Sequence, residues 1–215
     1  MHEFWESFLQ LLDAETLIQS GGFYLVLLIV YAETGLFFGF FLPGDYLLFL
    51  AGLFCASGIL DVSIYKLCLG LFMAGVMGNF TGYWFGWRTG PMLFKRKDTW
   101  LFKRKYVVMA EEFYHKYGGA ALIIGRFVPI IRTFAPIFAG VVQMDFRKFV
   151  LFNLGGCTIW VLILTLSGYF LGREFPQIVH YIEYIIVGFI SLTFTPILIA
   201  LIKRRISLKK KQNIN

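Results

Sequence analysis

Three uncharged apolar stretches dominate the chain: Leu67–Trp87, Phe149–Gly172 and Tyr184–Ile202. Each reaches the length of about 20 residues that an α-helix needs to cross the hydrocarbon of a bilayer. At that depth the backbone must satisfy its own N–H and C=O groups, so such stretches are helical. With 58% hydrophobic residues over 215 positions, the chain has room for one compact membrane domain. The expectation is an all-α polytopic membrane protein: an amphipathic surface helix over 1–20, a membrane domain over 21–202 and a basic tail over 203–215.

The formal net charge of +7 invites a nucleic-acid reading, and its distribution argues against one. No Lys or Arg precedes Lys66; eight basic residues lie in 88–116, two at Arg147 and Lys148, and six in Lys203–Lys211. Clusters that flank apolar spans follow the positive-inside rule and suit contact with anionic lipids. Specific DNA or RNA binding needs a folded reader, and no such motif is present. The first 20 residues carry Glu3, Glu6, Asp13 and Glu15 without a basic residue, the reverse of a cleavable signal. Cys55, Cys68 and Cys157 are far apart and read as packed apolar side chains. His2, His115 and His180 do not cluster, so neither a metal site nor a cofactor is expected.

Two segments break the apolar pattern. The first runs from Glu33 through Pro43 and Gly44 to Asp45; the second runs from Arg126 through Pro129 and Arg132 to Pro136 and Gly140. A charge at membrane depth costs at least about 2.5–3.5 kcal/mol on insertion scales, which marks it as functional by default. Prolines and glycines beside such charges suggest broken helices, and broken helices within a membrane line cavities. Parity supports this. The basic loop Lys95–Lys105 and the basic tail should share the cytoplasmic side, and the last two spans already return the chain to it. Segment 118–144 must then enter and turn back. The same reasoning makes 21–52 a second re-entrant hairpin from the opposite face. A cytoplasmic N-terminus with one tilted crossing at 21–40 is the alternative.

The hairpins also repeat. One opens at Gly21-Gly22 and closes at Ala51-Gly52; the other opens at Gly118-Gly119 and closes at Ala139-Gly140. The spans that follow contain Gly82-Tyr83 with Gly86, and Gly168-Tyr169 with Gly172. Two similar units of opposite orientation form an inverted repeat, with the site near the midplane. A low dielectric favours the neutral form of a carboxylic acid, so Glu33 and Asp45 suit proton coupling. The planar forks of Arg126 and Arg132 suit a lipid phosphate. The competing view is that acids and arginines simply pair. Gly78, Gly82, Gly86 and Gly90 recur every four residues and read as a close helix contact. Asn153 reads as a helix–helix hydrogen bond and Trp160 as an apolar or interfacial anchor.

Taken together, these residues resemble the DedA family, also called the SNARE-associated or VTT-domain family. The resemblance covers about Gly21 to Ile202. It rests on Gly125-Arg126-Phe127-Val128-Pro129-Ile130-Ile131-Arg132 with Pro136 and Ala139-Gly140, and on Glu33 to Pro43-Gly44-Asp45. It also rests on Phe149-Val150-Leu151-Phe152-Asn153 with Gly155-Gly156 and Trp160. The resemblance implies a bacterial cytoplasmic (inner) membrane protein that is not an enzyme and that moves lipids using the proton motive force. Undecaprenyl phosphate recycling and phospholipid flipping or scrambling are the two implied versions. It maps an acidic pair onto Glu33 and Asp45 and an arginine pair onto Arg126 and Arg132. The expected partners are a lipid phosphate, anionic lipids and protons, and a homo-oligomer is allowed. Gly78-Asn79 departs from the Gly-Asp common in the family, which removes one acid. A membrane-embedded lipid phosphatase would need a nucleophile such as His or Ser beside an acid and several phosphate-binding bases, and no histidine lies within either hairpin. An assembly factor without transport leaves the intramembrane charges unexplained.

Cysteine-accessibility labelling checks the parity argument. Lys97 and Lys209 are expected on one side of the membrane and Asp61 on the other; labels at Lys97 and Lys209 on opposite sides would end the two-hairpin topology.

Overall fold

A computed structural model describes residues 14–35, 44–95, 119–126, 129–181 and 188. The chain divides into Met1–Pro176 and Gln177–Asn215, and the architecture below belongs to the first unit. Of the second, the described part is the end of a 3-10 turn over Pro176–Tyr181 and Gly188 in helical conformation. The expected span Tyr184–Ile202, apart from Gly188, lies outside the described residues. So do residues 1–13 of the expected surface helix, the basic stretch 96–118 and the basic tail.

Every regular element among the described residues is helical. In order they are α1 (Ala14–Gly35), α2 (Gly44–Ala56), α3 (Ile64–Lys95), α4 (Ala120–Gly125), α5 (Pro129–Val141) and α6 (Phe146–Glu174). Two stretches are long and apolar enough to cross a membrane, Ile64–Gly90 with 27 residues and Phe146–Glu174 with 29. At 1.5 Å per residue each exceeds the roughly 30 Å of a hydrocarbon core. They contain the expected spans Leu67–Trp87 and Phe149–Gly172. Asp145 caps α6, its side chain accepting the Lys148 N–H at 3.0 Å.

The remaining helices are short. α2 and α5 have 13 residues each, about 20 Å of helix and too little to cross alone. α2 is apolar all round and buried from Tyr46 through Phe54, as a helix encased by others must be. α1 changes direction at Gly22, where φ is 56° and ψ −150°. Only glycine adopts that conformation freely, so the Gly21-Gly22 pair marks a break within α1.

The helix contacts are reciprocal. α1 packs on α2 and α3, and α4 packs on α5 and α6. α2 lies along α6, while α5 lies along α3. Each short-helix pair therefore divides itself between the two long helices. Glycines set the spacing. A Cβ on Gly52 would overlap the Thr165 carbonyl, and one on Gly168 the Phe49 carbonyl. In the other half, a Cβ on Gly86 would overlap the Ile137 carbonyl, and one on Gly140 the Tyr83 carbonyl. The sequence marks Gly140 and Pro136 as breaks in the second hairpin, yet both lie inside α5. Gly140 serves close approach. Pro136 is buried beside Gly82, and its missing N–H removes only the bond to the Arg132 carbonyl. The run of Gly78, Gly82, Gly86 and Gly90 faces α1 and then α5 along its length, which makes it a packing seam.

Overpacking a tight seam costs about 1–3 kcal/mol or more, whereas a Cβ on Gly155 would meet nothing within 4 Å. Gly52→Ala and Gly140→Ala should therefore lower the unfolding temperature of the purified protein in detergent. Gly155→Ala should leave it unchanged or raise it, since alanine is the better helix former by about 1 kcal/mol. Equal melting of Gly52→Ala and Gly155→Ala would contradict the packing described.

Candidate functional site

Four helix ends meet in the interior. Glu33 sits in the last turn of α1, Asp45 in the first turn of α2, Arg126 just after α4 and Arg132 in the first turn of α5. These ends exist because the chain breaks there. Pro129 opens α5 at a position where its lack of an N–H costs nothing. Gly44 opens α2, and a Cβ there would overlap the Glu33 carboxylate. No larger residue at 44 fits with Glu33 in place. Gly44 thus opens the helix and makes room for the acid, while Pro43 lies outside the described residues.

Arg132 joins both acids. One terminal nitrogen pairs with Glu33 Oε1 and the other with Asp45 Oδ1. Glu33 and Arg132 are almost wholly buried, whereas the Asp45 side chain is 26% exposed. Asp45 is therefore the member of the triad that reaches toward open space. An acid in the last turn of a helix opposes the helix dipole, by about 0.3–1 kcal/mol. Glu33 holds that place because Arg132 sits against it.

Arg126 has a different environment. Among the described residues no carboxylate pairs with it. Its Nη2 donates to Asn153 Oδ1 at 2.7 Å, and the Cys157 thiol lies against the same guanidinium. Asn79 Nδ2 donates to that same Asn153 oxygen at 2.6 Å. Among the described residues, Arg126 Nη1 is buried without a hydrogen-bond partner, as are Arg132 Nε and Glu33 Oε2. The site thus holds one cation between two acids and one cation held only by neutral groups. Among the described residues no His, Cys, Asp and Glu side chains gather as a metal-ligand set.

Trp160 links the two halves. Its indole N–H donates to Asp45 Oδ1 at 2.8 Å. The Arg132 guanidinium carbon lies 5.0 Å from the ring centroid and that of Arg126 lies 5.7 Å away, both in cation–π range. The residue expected as an apolar or interfacial anchor is instead buried at the centre of the charges. Asn153, expected to bridge helices, does so through Asn79 and the Val76 carbonyl, and it also holds Arg126. The sequence carries a signal for this grouping: Asn153, Cys157 and Trp160 recur at helical spacing and present one face of α6.

Residues 42–170 match the VTT domain, and the similarity to known proteins extends well beyond it. Protein DedA of Escherichia coli strain K12 is 36% identical over 181 residues, which cover 84% of this chain and 82% of that protein. An uncharacterized membrane protein of Mycobacterium tuberculosis strain H37Rv is 41% identical over 175 residues, covering 81% and 76%. Inner membrane protein YqjA of Escherichia coli strain K12 is 36% identical over 167 residues, covering 75% and 74%. No solved structure matches at a significant level. The chain belongs to the DedA family of VTT-domain membrane proteins.

The unequal pairing of the arginines has a measurable consequence. Removing one partner of a buried ion pair costs about 3–5 kcal/mol, because the charge left behind stays buried. Arg132→Leu strands two carboxylates, whereas Arg126→Leu strands none. Thermal unfolding in detergent should show the larger loss for Arg132→Leu, with partial recovery when Glu33→Gln and Asp45→Asn are added. Equal losses for the two single variants would contradict the asymmetry.

Proposed function

We propose that this protein carries a lipid phosphate, in its most concrete form a polyprenyl phosphate, across the cytoplasmic membrane by proton-coupled translocation. The observation that carries this reading is the buried quartet: Arg132 bound by Glu33 and Asp45, and Arg126 left with a free donor. Arg126 offers a phosphate a preset cation and an open N–H. Protonation of Glu33 and Asp45 releases the Arg132 fork to a second phosphate oxygen. Loss of the phosphate lets the acids ionise and recapture Arg132. The site then alternates between a proton-free, self-paired form and a protonated, phosphate-bearing form, which is the requirement for coupling. The partly exposed Asp45 is the group through which protons enter, and Trp160 lies against both guanidinium groups.

The reciprocal helix contacts support reading α1–α2 and α4–α5 as two re-entrant hairpins of an inverted repeat, with the C-terminus in the cytoplasm. Alternating access then amounts to one hairpin moving against the other about a site placed where their ends meet. A phospholipid flippase would use the same phosphate chemistry, so labelled lipids of both kinds belong in the assay. No step here makes or breaks a covalent bond in the lipid, in keeping with a carrier rather than an enzyme.

Reconstitution in liposomes under an imposed pH gradient tests the proposal. Arg126→Lys and Arg132→Lys should each slow phosphate-lipid movement by at least tenfold, the scale of about 1.4 kcal/mol of lost bidentate binding. Glu33→Gln and Asp45→Asn should abolish acceleration by the gradient while some downhill movement survives. Gradient-driven transport at wild-type rates in both amide variants would make these carboxylates structural partners of Arg132 and nothing more.

A further inference from the structure

Away from the buried quartet, α3 and the first turn of α6 form an open groove of about 400 Å³ lined by Phe80, Tyr83, Trp84, Trp87 and Phe146. The volume is that of a small-ligand pocket, yet its walls are almost entirely aromatic. Behind it Tyr83 stacks on Phe149 with ring centroids 4.3 Å apart, and the Tyr83 hydroxyl donates to the Met144 carbonyl at 2.7 Å. These contacts fix the floor. The walls face outward: Trp84 is 58% exposed, Trp87 49% and Phe146 54%.

Three exposed cations adjoin the lining residues in the sequence. Arg88 follows Trp87 on α3, Arg147 and Lys148 follow Phe146 on α6, and all three are exposed. The one acid in segments 84–95 and 144–150 is Asp145, and its carboxylate is engaged with the Lys148 backbone N–H as the helix cap. An apolar aromatic trough, with three exposed cations next to its lining residues at the ends of two membrane spans, has the chemistry of one amphiphile. Its hydrocarbon lies on the rings and its negative headgroup meets the cations. A zwitterionic lipid satisfies the trough and not the cations. A soluble anion satisfies the cations and not the trough.

We propose that this groove is a binding site for an anionic glycerophospholipid at the basic ends of α3 and α6. It is separate from the buried arginines and independent of what the protein transports. A lipid held there pins the two long helices at one end, against which the short-helix pairs pack.

The test uses the full chain in nanodiscs of zwitterionic phosphatidylcholine doped with phosphatidylglycerol, one or the other carrying brominated acyl chains that quench tryptophan. The signal lost in Trp84→Phe/Trp87→Phe isolates the groove from the other tryptophans. At equal mole fraction, brominated phosphatidylglycerol should quench these two tryptophans with an apparent affinity at least about fivefold above brominated phosphatidylcholine. That ratio corresponds to one engaged surface cation. Arg88→Gln with Arg147→Gln and Lys148→Gln should erase the preference while quenching by phosphatidylcholine persists, which shows the groove intact. Three results would overturn the proposal: equal quenching by both lipids in the wild type, a preference unchanged in the triple variant, or no quenching of Trp84 and Trp87 by either lipid. Because no transport is measured, failure of the carrier reading leaves this test untouched.

Discussion

A guanidinium keeps its proton at any depth in a protein, so a buried arginine must be met by acceptors or it will not stay buried. Arg132 is met by two carboxylates from two other helices, Glu33 from the end of α1 and Asp45 from the start of α2. Taking such charges out of water costs several kcal/mol per ion even after relaxation. The triad persists only if all three partners arrive together. That requirement draws α1, α2 and α5 to one point, and Trp160 adds α6 through its bond to Asp45. The breaks in the helices follow from the same need. A carboxylate in mid-helix faces neighbouring side chains, whereas one at a helix end can reach an element that arrives from another direction.

The backbone contacts around the quartet serve this convergence. Gly44 leaves room for the Glu33 carboxylate, and Gly52, Gly86, Gly140 and Gly168 let short helices lie directly on long ones. The neutral cradle of Arg126 sets it apart from Arg132. With Asn rather than Asp at positions 79 and 153, no carboxylate among the described residues pairs with Arg126. One arginine holds the acids and the other is held by neutral groups, which is the arrangement the proposed phosphate binding uses.

Much of this is legible in the sequence, for reasons that can be named. The long spans follow from hydropathy, and Glu33, Asp45, Arg126 and Arg132 stand out because charge is costly in hydrocarbon. Gly21-Gly22 marks a real break at Gly22. Pairing is not legible: four charges admit several partitions, and only three-dimensional proximity assigns both acids to Arg132. Pro136 and Gly140 carry the signature of a break, and each sits within α5 because neighbours compensate. Trp160 reads as an anchor because an indole near the middle of an apolar span has no sequence mark that separates a lipid-facing ring from one turned toward a buried arginine. Its companions Asn153 and Cys157 on the same face are the available clue.

The proposed coupling of anion to proton can be tested by binding alone, without transport. Isothermal titration of the purified protein with a short-chain polyprenyl phosphate, repeated in buffers of different ionisation enthalpy, counts the protons exchanged on binding. At about pH 8 the phosphomonoester is already largely dianionic, so it takes little part in the exchange. The expected result is uptake of about one proton or more per ligand bound, as the acids release Arg132, and none in Glu33→Gln/Asp45→Asn. Tight binding by the wild type with no proton uptake would show that the phosphate does not compete with the carboxylates, and the exchange at Arg132 would have to be given up.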